Sequence, residues 1–202
     1  IYFDDGDSGD TVFGNVFENC GRTQLHYCNF GAVFSHAGCS NVVRNCLFVK
    51  CDRSLGGGPW PQEKWETRIK GRESVKWKNY DHKFKEEIDY RAPEWRMRYP
   101  ELETFLDPYP EEIRKNAAYD CVAIDCPDRL HFPQKDGRVF SLGGYVRGHW
   151  YTNETFVALK GDPGFVDYAR RDYRLRPDSE IYRRLPNFKP IPFDKIGLIN
   201  RR

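Results

Sequence analysis

The amino-acid sequence predicts an all-β solenoid: a right-handed parallel β-helix with an inserted helical arm and an irregular C-terminal cap. Three observations predict it. Ile1 to Cys20, IYFDDGDSGDTVFGNVFENC, is repeated without a gap by Ala32 to Cys51, AVFSHAGCSNVVRNCLFVKC, so that Phe3 falls on Phe34, Val12 on Val43, Phe17 on Phe48 and Cys20 on Cys51, a constant offset of 31 (34 − 3). Farther on, Asp120-Cys-Val-Ala-Ile-Asp-Cys126 matches Asn45-Cys-Leu-Phe-Val-Lys-Cys51 with both cysteines in place. Each copy also reads as short extended runs joined through turn formers such as Gly6, Asp7, Ser8 and Gly9, with no helix between. Stacked coils are the natural solution for a period of this length built from strands and turns, and they bring equivalent residues to about 4.8 Å from one another.

Taken in order, residues 1–55 supply two coils, with Phe3 over Phe34 and Phe17 over Phe48 as interior ladders and Gly14 over Asn45 at a corner. Gly21 to Gly31 completes the first coil, with His26 as a solvated loop residue. The pattern breaks at Gly56-Gly57-Gly58-Pro59 and opens a helical insertion over 56–115. There Trp77, Tyr80, Phe84 and Ile88 form one stripe of an amphipathic helix that Pro93 ends, and Pro100 starts a second through Leu102, Phe105 and Leu106 to Asp107-Pro108. Residues 116–150 make a further coil, and 151–202, rich in proline, close the fold as a cap over the last coil. The chain begins inside an expected strand, at Ile1, so it reads as a fragment whose parent carries additional N-terminal coils.

Composition excludes several classes. Lys+Arg 32 against Asp+Glu 30 gives a net charge of +2 and argues against a nucleic-acid surface, and no apolar run is long enough to span a bilayer. The 7 cysteines are odd in number and fall on repeat positions: Cys20, Cys51 and Cys126 share one, Cys46 and Cys121 another. That registration predicts reduced, buried thiols filling coil corners, since a zinc site wants paired ligands such as C-x2-C, which do not occur.

The IYFDDGDSGDTVFGN and VFSHAG…NVVRNCLFVKC runs, the arm with Trp95-Arg-Met-Arg-Tyr-Pro-Glu-Leu102 and the DPGFVD…DYRLRPDS…IPFDKIGL tail together resemble the C-terminal part of right-handed parallel β-helix proteins of the pectate-lyase-like superfamily. The resemblance covers most of the chain and is specific for fold rather than reaction. It implies a secreted or periplasmic, bacterial protein whose partner is a polysaccharide cleaved by hydrolysis or by elimination. His36-Ala37-Gly38 departs from the His-Gly-Gly of related sequences.

Asp4, Asp5, Asp7 and Asp10 crowd the first copy, and the repeat sets His36 on the Asp5 position. Alternation from inward Phe3 and Phe34 sends Asp4 and Ser35 outward and leaves Asp5 beside His36 where strand gives way to turn. Glycosidic cleavage commonly uses two carboxyl groups, and a carboxylate beside an imidazole can hold a proton donor, so Asp4, Asp5 and His36 are the expected catalytic residues. Adjacent strand residues point to opposite faces, so the pair requires the turn to bend one back. The competing readings are turn aspartates that satisfy backbone donors, and a Ca2+ cage built on Asp4, Asp5 and Asp7. Trp60 and Trp150, each flanked by turn signals, are expected to be exposed and to stack on sugar rings. A non-catalytic β-helix that binds a glycan, or only extends a larger fold, is the alternative function.

Overall fold

In a computed structural model, the described residues are 1–21, 31–58, 60, 63, 88–100, 103, 116–127, 155–196 and, as backbone, 138–139 and 150–152. The packing divides the chain into two compact units, Ile1–Pro59 with Lys115–Arg202, and Trp60–Arg114.

The first unit is predominantly β and mostly parallel. Strands β1 (Tyr2–Phe3), β4 (Val33–His36) and β7 (Leu55–Gly58) form one sheet. A second contains β2 (Thr11–Phe13), β5 (Val42–Arg44), β8 (Asn116–Tyr119) and β11 (Trp150–Thr152), with β10 (Arg138–Val139) antiparallel at its end. The third contains β3 (Val16–Glu18), β6 (Leu47–Val49), β9 (Cys121–Ile124) and β12 (Phe156–Leu159). Successive strands along the chain thus pass from sheet to sheet, and each lies parallel to its counterpart in the next tier. The arrangement is compatible with a β-helix.

Register follows the repeat in two sheets. Val12 pairs Val43 and Phe17 pairs Phe48, and the third copy pairs Val43 with Ala118 and Phe48 with Ala123. Phe17 and Phe48 stack at 5.1 Å, and Phe156 continues the column at 6.0 Å from Phe48. The first sheet differs, because β1 pairs Tyr2 with Phe34 and Phe3 with Ser35, an offset of 32 (34 − 2). The expected Phe3–Phe34 ladder is therefore replaced. Ser35 turns inward beside Phe3, fully buried, and Phe34 packs on Tyr2 at 5.2 Å instead.

Between the second and third strands of each tier, one residue takes left-handed backbone: Gly14 (φ 68), Asn45 (φ 56), Asp120 (φ 49). After the third strand come Asn19 (φ 51), Lys50 (φ 52) and Asp125 (φ 50). Glycine, asparagine and aspartate tolerate this conformation best, which makes Lys50 the unusual member. Cysteine follows at both corners from Cys46 and Cys20 onward. Its thiol lies near the carbonyl two residues back and a carbonyl of the preceding tier: Cys46 reaches Arg44 O at 3.2 Å and Val12 O at 3.7 Å, and Cys121 reaches Tyr119 O at 3.2 Å and Val43 O at 3.7 Å. A small apolar group with a weak donor suits an inward corner that carries carbonyls. The six described cysteines are all unpaired, with Cys46, Cys51 and Cys121 buried and Cys20, Cys39 and Cys126 half-buried.

The C-terminal segment, expected over the last coil, packs on the flank of the third sheet. Leu47, Val49, Val122 and Ile124 on the outer face of that sheet meet Phe165, Tyr173, Ile181 and Leu185. These come from the antiparallel hairpin β13 (Phe165–Asp167) and β14 (Asp172–Leu175) and from α2 (Glu180–Arg184), whose N-cap is the Ser179 hydroxyl. Asn45, at its left-handed corner, clips the tail down by accepting from Lys189 N (2.6 Å) and donating to Lys189 O (3.0 Å).

In the second unit, α1 (Pro93–Arg98) begins at Pro93, whereas the sequence predicts that Pro93 ends a helix. Proline lacks an N–H that the first turn would leave unpaired, so it opens helices well. The expected helices over 77–88 and 100–106 lie mostly outside the described residues. Among the described residues no helix is long and apolar enough to cross a membrane.

Candidate active site

The offset of 32 in the first sheet sets Asp4 opposite His36. Five residues separate Asp4 from Asp10 but four separate His36 from Asn41, the next matched position, so the first turn holds one extra residue. That residue is Asp5. It takes φ 47, Gly6 follows at φ 94, and Gly6 N donates to His36 O at 2.9 Å. Two consecutive left-handed steps bend the chain back, and two adjacent aspartates thereby reach one imidazole.

His36 Nδ1 lies 2.9 Å from Asp4 Oδ1 and 3.5 Å from Asp5 Oδ1. Ionised carboxylates only accept, so Nδ1 carries the proton in these contacts. The Asp4 carboxyl is held below its ordinary value of 3.8, chiefly by the His36 hydrogen bond, with burial opposing and the Tyr2 side chain assisting. Tyr2 lies near parallel to the imidazole, ring centroids 6.4 Å apart, and is 48% exposed, so an aromatic face borders the carboxylates. The sequence reading missed Tyr2. Its signal was present, since residues i and i+2 of a strand share a face and Asp4 was already a candidate.

Buried asparagines hold the turn. Asn41 Oδ1 accepts from Asp10 N (2.9 Å) and its Nδ2 donates to Asp7 O (2.9 Å). One tier on, Asn116 repeats the clamp, with Oδ1 accepting from Asn41 N (3.0 Å) and Nδ2 donating to Gly38 O (3.2 Å). Gly38 admits no side chain, because a Cβ there would meet Asp7 O at 1.8 Å. Ala37 has φ 68, so the position that departs from glycine in the sequence keeps a backbone that glycine would favour.

Asp4, Asp5 and His36 offer ligand atoms within 4.8 Å of one another, enough to close on a divalent ion. Two carboxylates and an imidazole suit a transition metal better than Ca2+, which prefers an all-oxygen cage. Asp7 stands apart from this group, against Asp10. Its carboxyl is pushed up by burial and then by the charge and hydrogen bond of Asp10. Trp60 is buried, 6% exposed, contrary to the exposure expected of it, as a large apolar ring gains most from leaving water. The backbone of Trp150 pairs with Asn116 and Val139 in the second sheet, and its side chain lies outside the described residues.

A second cleft, lined in part by Glu18, Lys50, Tyr168 and Arg171, is internally compensated: Arg171 pairs Glu18 at 3.2 Å and Lys50 lies over the Tyr168 ring at 4.9 Å. Comparison with protein-family models, with curated proteins and with solved structures returned no match to this chain.

Proposed function

We propose that this chain forms stacked coils of a right-handed parallel β-helix and acts on a polysaccharide, cleaving glycosidic bonds by acid–base chemistry at Asp4, Asp5 and His36. The contact of one imidazole nitrogen with two carboxylates at a strand end supports this reading above all. Asp4 is the positioning residue, accepting from Nδ1 and orienting the ring. The His36 imidazole exchanges a proton with the leaving oxygen, an attacking water or the carbon next to a uronate. Asp5, the more distant carboxylate, stabilises positive charge at the sugar or attacks it. Tyr2 offers a flat face on which a sugar ring stacks. The protein is secreted or periplasmic in this reading, where such substrates occur.

The test is to incubate the protein with acidic and neutral polysaccharides, with and without chelator, and to measure reducing ends and unsaturated products. His36→Ala and Asp5→Ala are expected to lower the rate a hundredfold or more. Asp4→Asn is expected to lower it less and to shift the pH profile. Reducing ends alone indicate hydrolysis, and unsaturation indicates elimination. Activity that stays within about threefold of wild type in all three variants overturns the site. Glycan binding without turnover supports the non-catalytic alternative, which the exposed Tyr2 face also accommodates.

A further inference from the structure

Independently of any action on glycans, we propose that Cys126 and Cys51 form a thiol–disulfide exchange site, in which Cys126 reacts with a small disulfide and Cys51 then closes a bond between adjacent tiers. Val49 pairs with Ile124, and Lys50 and Asp125 then take matching left-handed backbone, so the two cysteines occupy equivalent points of neighbouring tiers. Equivalent points in paired strands lie about 4.8 Å apart, inside the roughly 4.4–6.8 Å between Cα atoms that a disulfide requires. The side chains also follow the same path. Cys126 Sγ reaches back to Phe48 O at 3.5 Å, in the tier of Cys51, and Cys51 Sγ reaches Phe17 O at 3.4 Å in the tier before.

The two sulfurs differ in the way an exchange site needs. Cys126 is half-buried, whereas Cys51 is fully buried and has to meet only its neighbour. Interaction with the Cys51 thiol, aided by Ser54, holds the Cys126 thiol down to about 7 against the opposing effect of burial. The same interaction, with burial, pushes Cys51 up. The thiolate is the nucleophile in exchange, and Cys126 is the less buried of the two, so Cys126 attacks first. Of the other equivalent pairs, Cys46 with Cys121 is buried at both residues and serves as an internal control, while Cys20 with Cys51 repeats the contrast of a half-buried and a buried thiol and is distinguished by the peptide map.

The chemistry balances with an external disulfide as the oxidant. The Cys126 thiolate attacks one sulfur of R–S–S–R, forming a mixed disulfide and releasing one R–S⁻. Cys51 gives up its proton, and its thiolate attacks Cys126 Sγ, forming the protein disulfide and releasing the second R–S⁻. Two protein thiols are oxidised, one small disulfide is reduced to two thiols, and the two protons pass to those products.

The experiment incubates the intact protein with oxidised glutathione, unfolds it in alkylating reagent and maps the peptides. The expected result is loss of two of the 7 thiols, one crosslinked pair joining Cys51 to Cys126, and full reversal by dithiothreitol. Reaction rate is expected to rise with pH, with a midpoint below that of an ordinary thiol. Cys51→Ser should stop at a mixed disulfide on Cys126, and Cys126→Ser should form neither product. A full count of thiols after incubation overturns the proposal, as does a crosslink joining Cys20 to Cys51 or Cys46 to Cys121. If either variant fails to fold, the wild-type peptide map decides alone.

Discussion

Asp4 and Asp7 stand three residues apart and respond to pH in opposite senses. The Asp4 carboxyl is held below 3.8 by His36, so it contributes stability that is present above 3.8 and is lost as pH falls through the lower folded value. Asp7 is pushed above 3.8 by burial and by Asp10. Its charged form opposes folding, a penalty absent below 3.8 that grows as pH rises through the raised folded value. Asp7→Asn is therefore expected to raise the urea midpoint at roughly pH 7 and to leave it unchanged well below the carboxyl range, whereas Asp4→Asn lowers it at roughly pH 7. A lower midpoint for Asp7→Asn at neutral pH contradicts the assigned repulsion. The meeting of Asp4, Asp5 and His36 was legible in the sequence because the repeat brought the acidic turn alongside His36. Which aspartate lies nearer was not. Tyr2 and Phe3 are adjacent aromatics, so either could be matched to Phe34, and hydrophobic pattern alone does not choose between registers that differ by one residue.

At the scale of the element, the turns between first and second strands depend on asparagine side chains that reach across tiers. Asn41 is fully buried and satisfies two backbone groups of the acidic turn. Asn41→Ala leaves Asp7 O and Asp10 N without those partners and is expected to cost about 2–4 kcal/mol, read from chemical denaturation, with loss of the Asp4–His36 arrangement. A change below about 0.5 kcal/mol would show that solvent replaces both bonds. The register of the second and third sheets was readable because each strand there carries one aligned core residue, Val12 on Val43 and Phe17 on Phe48. The flank packing of the tail was not readable. Phe165, Ile181 and Leu185 show that the segment is apolar, but nothing in their spacing says that they meet the outer face of β6 and β9. The sign was in the strands: Leu47 and Val49 flank Phe48, and a strand apolar at every position is buried on both faces.

For the whole molecule, the unit Trp60–Arg114 is inserted between β7 and β8, whose partners β4 and β5 both belong to the other unit and lie in different sheets. Neither register depends on the inserted length, and loop closure costs only slowly more as a loop grows. Replacing residues 60–114 by a short Gly/Ser linker is expected to preserve the β circular dichroism and one cooperative unfolding transition; a broad, non-cooperative transition would show that the sheets need the insertion. The extra residue in the first turn carries a different implication. Tiers one and two are near copies, yet one of them presents two carboxylates to a single imidazole because Asp5 is present and has no counterpart in the other. A difference of one residue between two near-identical tiers thus decides where this constellation arises, with its carboxylates from one tier and its imidazole from the next. Because the next strand pair returns to the common offset, the neighbouring sheets keep their register in spite of the extra residue.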